Sequence, residues 1–211
     1  MLNIDLWQHF MDQFSKSIQQ SSEKELTLAW SSLRARTNFY RTLLMPLATS
    51  LGTIIEETLE TGNELFKVDF AISRKSNEIQ VPIIFIESEN NAESADHEVK
   101  KLVNLAAPLR ILITVAQWDD ETDIWAKRGG SAKGRLLPHW EEVIRQHQIV
   151  WPRPGVLGIL IGEWRPNKTF RFYAYGYGEG HQLAAPSQDI LLERTVNYAD
   201  PREALEKVPQ F

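Results

Sequence analysis

The sequence predicts an α/β protein: a mixed sheet flanked by helices, with extra N-terminal helices and a C-terminal β-hairpin. Three observations carry that expectation. Through the first sixty residues, apolar side chains recur at spacings of three and four, the helical period. Two β-type runs follow at 65–73 and 81–89. A helical stretch then leads into the nearly all-aliphatic run LRILITVA at 109–116, which has the length and branching of a buried strand.

Taken in order, Ile4, Trp7, Phe10, Met11, Phe14 and Ile18 define an amphipathic helix over 4–18. Its surplus of apolar residues suggests a dimer arm, so a homodimer is one expectation. Ser22 is placed to cap a second helix running from 23 to about 45 through Leu26, Trp30, Leu33, Phe39 and Leu43. Pro46 either stops that helix or opens another from 47 to about 59, and Thr61-Gly62-Asn63 signals a turn. The β-type runs are separated by the polar segment 74–80. Ala95, Val99, Leu102, Val103 and Ala106 then form one stripe of a helix over 92–107, ended by Pro108. Beyond the 109–116 strand come a loop (117–134), a helix (138–148), and strands at 156–164 and 169–176 joined by Arg165-Pro166-Asn167-Lys168. The polar tail 190–211 allows a short helix near 202–207. No linker divides the chain. It reads as a single domain with a helical part (1–60), a core (61–116) and an extension (117–211).

Composition excludes more than it assigns. The 211 residues are 43% hydrophobic and 24% charged, ordinary for a soluble protein. No apolar run approaches bilayer length, and the N-terminus lacks the basic-then-apolar order of a secretory leader. There is no cysteine, hence no disulfide framework and no thiol chemistry. A cytoplasmic location is the simplest expectation. The net charge of -5 argues against a protein that coats nucleic acid, less against one that gathers carboxylates at a metal.

The chemistry-bearing signal is a set of acids in apolar strands. Glu87 and Glu89 alternate on one face at the end of the 81–89 strand, roughly 7 Å apart. Asp69 interrupts Val68, Phe70 and Ile72 in the preceding strand. If Asp69 pairs opposite Glu87, with a loop from Ser76 to Gln80, all three carboxylates share a face. A slip of one residue sends Asp69 to the other side. Converging carboxylates need a counter-charge. Mg²⁺ or Mn²⁺, hard cations that prefer oxygen, would supply it and serve phosphodiester hydrolysis.

Helix, Asp69 in a strand, Glu87-x-Glu89 ending the next, helix 92–107 and strand 109–116 together resemble the core of the PD-(D/E)XK, or restriction-endonuclease-like, nuclease superfamily. That core runs αβββαβ, with the aspartate on its second strand and the (D/E)xK on its third. The resemblance covers roughly residues 47 to 116. It implies a metal-dependent nuclease acting on DNA, with Asp69 and Glu87 as metal ligands and Glu89 as a third ligand or water activator. Two positions depart from the pattern: Val68 stands where the family has proline, and Glu89 where it has lysine. Lys101, on the following helix beside the apolar stripe with Ser94, Glu98 and Leu105, is the expected substitute and would steady the attacking oxygen. The alternative is a non-catalytic binding or regulatory module on the same fold.

Other features point less far. The histidines His9, His97, His139, His147 and His181 lack zinc spacing. The glycine-rich stretch 176–181 has neither P-loop nor dinucleotide pattern. The basic segment 128–135 could touch a phosphate backbone, and the aromatic run 170–175 could stack bases. Both also fit ordinary surface-loop and amphipathic-strand roles.

Overall fold

The protein is described as a computed structural model covering residues 3–63, 67–77, 79–119, 131–165, 168–178, 181–182 and 189–197. Helix α1 (Asn3–Gln20) buries Trp7, Phe10, Met11, Phe14 and Ile18, so the apolar surplus that suggested a dimer arm is spent on the chain's own core. Ser22 closes a capping box on α2 (Glu23–Ser31). Its hydroxyl accepts from the Glu25 N–H at 3.2 Å, and the Glu25 carboxylate accepts from the Ser22 N–H at 2.8 Å.

The helix expected to run unbroken to Pro46 is instead divided at Ser32. Extended backbone there (φ -156°, ψ 158°), with a hydroxyl accepting from the Ala35 N–H at 3.1 Å, starts a new helix. That helix, α3 (Leu33–Ile55), passes through Pro46 without stopping. Pro46 is on its exposed side, while Leu43, Leu44, Leu47, Ala48 and Leu51 hold the other face in the core. Tertiary burial outweighs the one lost backbone bond. Glu56 ends α3 in the left-handed region (φ 57°).

The segment Thr61-Gly62-Asn63, expected as a turn, belongs to strand β1 (Leu59–Asn63). Residues 64–66, at the start of the expected 65–73 run, fall outside the described set. Strands β2 (Phe70–Ser76) and β3 (Ile79–Ser88) extend β1 as an antiparallel meander. After a 3-10 turn (Ala92–Ser94), α4 (Asp96–Asn104) crosses to β4 (Leu109–Val115), which pairs parallel with β3. Helix α5 (Ala132–Val150) starts six residues before the expected 138, because Ser131 caps it and Pro138 sits inside it. Lys133 and Arg135 of the basic segment are therefore helical, while 128–130 lie outside the described residues. Strand β5 (Val156–Arg165) pairs parallel with β4, and β6 (Thr169–Gly178) returns antiparallel. The far edge of β6 carries β7 (His181–Gln182) and β8 (Ile190–Thr195). A helix at 202–207 is again outside the described residues.

The result is a mixed eight-stranded sheet with α1–α3 on one face and α4–α5 on the other, each face closing its own apolar cluster. No helix among the described residues is long and apolar enough to cross a membrane. The α1 face fits closely. Gly158 and Gly176, paired across β5 and β6, make room for the Trp7 indole, and a Cβ on Gly158 would lie 2.4 Å from it. Gly158→Ala should cost about 1–3 kcal/mol by overpacking, read from the urea midpoint.

The C-termini of α4 and α5 meet at the end of the sheet where β4 and β5 begin, and cations gather there as the helix dipoles favour. Arg110, held down to about 10 by burial and then by the charge of Arg153, reaches the carbonyls of Leu105 and Pro154. His147 is lowered by burial first, then by Arg153 and Arg110. A histidine held low in the folded state is protonated more readily in the unfolded chain. Stability is therefore lost as pH falls through the ordinary histidine range. Urea denaturation between about pH 7.5 and 5 should show a smaller loss for His147→Gln than for the wild type.

Candidate functional site

The site stands at the opposite end of the sheet, where the parallel strands finish. Its geometry is set by β2 on β3. Near the turn the strands pair as Ser76↔Ile79 through Ser73↔Pro82, a two-residue connection tighter than the expected Ser76–Gln80 loop. Continued unbroken, that register would bring Asp69 against Ile86. A bulge intervenes between Ile72 and Ser73: Ile83 is left over and the pairs resume as Ile72↔Ile84, Ala71↔Phe85 and Phe70↔Ile86. Pro82, which cannot donate to the ladder, sits beside the bulge, a place where proline in a sheet is tolerated. Phe70↔Ile86 is the last pair, and Asp69, one residue before it, lies close enough for its charge to act on Glu87.

Asp69 leads into β2 on an exposed bend, and its Oδ2 accepts the Ser88 N–H at 2.9 Å. Glu87 shares a face with Phe85, in the cluster beneath α4, and is 2% exposed. Lys101 reaches over from α4, whose Val99, Leu102 and Val103 are buried, and its ammonium pairs with Glu87 Oε1. That oxygen is buried and has no hydrogen bond of regular geometry, so the ion contact is its one compensation among the described residues. Burial pushes the Glu87 carboxyl above the ordinary range. Lys101 opposes the shift, the Asp69 charge adds to it, and the Asp69 backbone N–H opposes it. The structure thus brings together Asp69, Glu87 and Lys101 from three different elements.

Glu89 is placed differently. Strand β3 ends at Ser88, and the Glu89 N–H is bonded to the Ile113 carbonyl. Its Oε1 accepts from the Asn91 N–H at 3.2 Å and the Ser94 hydroxyl at 3.3 Å, tying down the turn that leads into α4. Arg36 of α3 fixes the same loop, donating to both the backbone and side-chain oxygens of Asn90 at 3.2 Å. Among the described residues, no group of three or more acids or histidines is arranged to hold a metal ion. Two carboxylates remain, Asp69 and Glu87, the second with a buried oxygen held by the Lys101 ammonium. That donor set suits Mg²⁺, which is commonly held by one or two carboxylates with water and phosphate oxygens completing its shell.

A fourth residue was missed in the sequence. Glu163, fully buried near the end of β5, accepts the backbone N–H groups of Trp118 at 2.7 Å and Asp119 at 3.3 Å. Its other oxygen accepts Tyr173 OH at 2.8 Å and Arg165 Nη1 at 3.1 Å. Trp118 in turn stacks on Trp140 and donates its indole N–H to Tyr175 OH at 2.9 Å. Glu163 thereby anchors the segment after β4 to the sheet. The signal was available, an acid in the apolar run VLGILIGEW, the same anomaly that singled out Glu87. His97 is exposed on α4, as an ordinary helix histidine would be.

Comparison with models of known protein families gives no match, and comparison with curated proteins gives none either.

Lys101→Met leaves the buried Glu87 carboxylate without its cation. The expected cost is about 1–3 kcal/mol, below that of a fully buried pair because the Lys101 side chain is 27% exposed. The double variant Glu87→Gln/Lys101→Met should recover most of the loss in a urea-denaturation cycle.

Proposed function

We propose that the chain is a divalent-metal-dependent phosphodiesterase of the restriction-endonuclease-like class, with DNA as its expected substrate. The observation that carries this reading is the meeting of Asp69, Glu87 and Lys101 at the end of β3, from the head of β2, from β3 itself and from α4. The element order supports it. Helix α3, the β1–β2–β3 meander, α4, and β4 parallel to β3 follow the αβββαβ sequence of that class, with Asp69 just before the second strand and Glu87 on the third.

In this reading Asp69 and Glu87 would hold Mg²⁺ or Mn²⁺. The ion would polarise a phosphoryl oxygen and make bound water more acidic. Lys101 would steady the attacking oxygen. Glu89 Oε1 is engaged by Asn91 and Ser94, so its Oε2 is the atom it would offer, to the metal or to a water. A second reading, a non-catalytic binding or regulatory module on this fold, is favoured by one observation: Lys101 already neutralises Glu87 with no metal required.

Calorimetric titration with Mg²⁺ or Mn²⁺ should give binding heat that Asp69→Ala weakens about 100-fold or more, since losing even a ligand's supporting partner costs about 10–100-fold. Equal heats in both proteins would remove Asp69 as a ligand. Metal-dependent nicking of supercoiled plasmid, lost in Glu87→Ala, supports catalysis; metal binding without nicking favours the binding module.

A further inference from the structure

Lys101 has two potential tasks that cannot be performed at once. As the counter-ion of Glu87 its ammonium sits against Oε1, a buried oxygen with no hydrogen bond of regular geometry among the described residues. As the group that steadies an attacking oxygen it must face the solvent side, where a phosphodiester would lie. A divalent cation joined to Asp69 and Glu87 would compete for the same oxygen and repel the ammonium. The lysine is built to yield. Its backbone is fixed on α4 by buried Val99, Leu102 and Val103, while its side chain is long, unbranched and 27% exposed.

Resting on the metal-site reading above, we infer that Lys101 is a displaceable place-holder. It neutralises Glu87 while the site holds no divalent ion, and is expelled when Mg²⁺ or Mn²⁺ binds, which turns its ammonium toward the substrate side. Metal entry and the arming of the lysine are then one event. The site avoids an uncompensated buried carboxylate when empty, and presents the lysine only when a metal is there to act with it. The same competition weakens metal binding, since the ion must first break an existing pair.

Two measurements test this. In the first, exposed amines of the wild-type protein are acetylated briefly with and without saturating Mg²⁺ and read by mass spectrometry, with exposed Lys24 as the reference. Lys101 labelling should rise several-fold with Mg²⁺, and Asp69→Ala should abolish the rise. In the second, Mn²⁺ is titrated into wild type, Lys101→Met and Lys101→Gln, with binding expected about tenfold tighter in both variants. Metal binding to the wild type with unchanged Lys101 labelling overturns the inference, even if the variants bind more tightly, because removing a nearby positive charge alone would do that. It leaves the ligand reading standing. No metal binding in any of the proteins overturns both. The labelling arm uses only the wild type for its main readout, so a poorly folded Lys101 variant does not blunt it.

Discussion

Between Phe70–Ile72 and Ile84–Ile86 the strands β2 and β3 pair one residue out of step with the way they leave their turn. The offset is the single bulged residue Ile83, and the arrangement at the end of the sheet hangs from it. Side chains alternate across a strand, so a one-residue shift exchanges its two faces. Without the bulge, Phe70 and Ile72 would lose their places against α1 and α3, and Asp69 would stand opposite an isoleucine. With it, both apolar clusters close and Asp69 meets Glu87. Core packing therefore sets the register that brings the two acids together. That is why a potentially repulsive pair of carboxylates can persist there.

The sheet also separates tasks by its two ends. Both crossover helices run back against the parallel strands, so the C-termini of α4 and α5 sit together at one end and their N-termini at the other. Arg110 and His147 collect at the first, where the dipoles favour positive charge. The second holds Glu87 and Glu163, the two most deeply buried carboxylates among the described residues. They are stabilised by different means. Glu163 is satisfied by four hydrogen bonds and serves as an anchor. Glu87 has, among the described residues, a lysine on a flexible stem and a smaller set of donors. An acid so incompletely compensated is the natural place to look for chemistry, and an acid fully bonded is the natural place to look for structure.

Much of this was legible in the residues. Helical and strand periods located most elements, because burial on one face imposes a period whatever the tertiary arrangement. The acids stood out because they interrupt apolar strands, and Lys101 because its position on the helix flanks the buried stripe. The misjudged points share a cause. Local chemistry makes Pro46 a helix boundary and Pro138 a helix start, yet both lie inside helices whose other residues are held in place by packing. Thr61-Gly62-Asn63 has turn chemistry and forms an edge strand because β2 offers it a partner. Strand alternation alone puts Glu89 on the face of Glu87, yet β3 ends at Ser88 and one Glu89 oxygen is turned to Asn91 and Ser94.

The sequence by itself determined the class of architecture, the two-faced apolar pattern, and which charged residues needed an explanation. Those are properties of composition along a line, and periodicity reads them directly. The tertiary structure alone decided that Asp69, Glu87 and Lys101 form one cluster, that Glu89 turns into the loop, and that Glu163 is spent on anchoring. Each of these depends on a bulge, a strand end or a partner from a distant element. No local pattern encodes such features, because they arise from the competition between two packed faces for a single register.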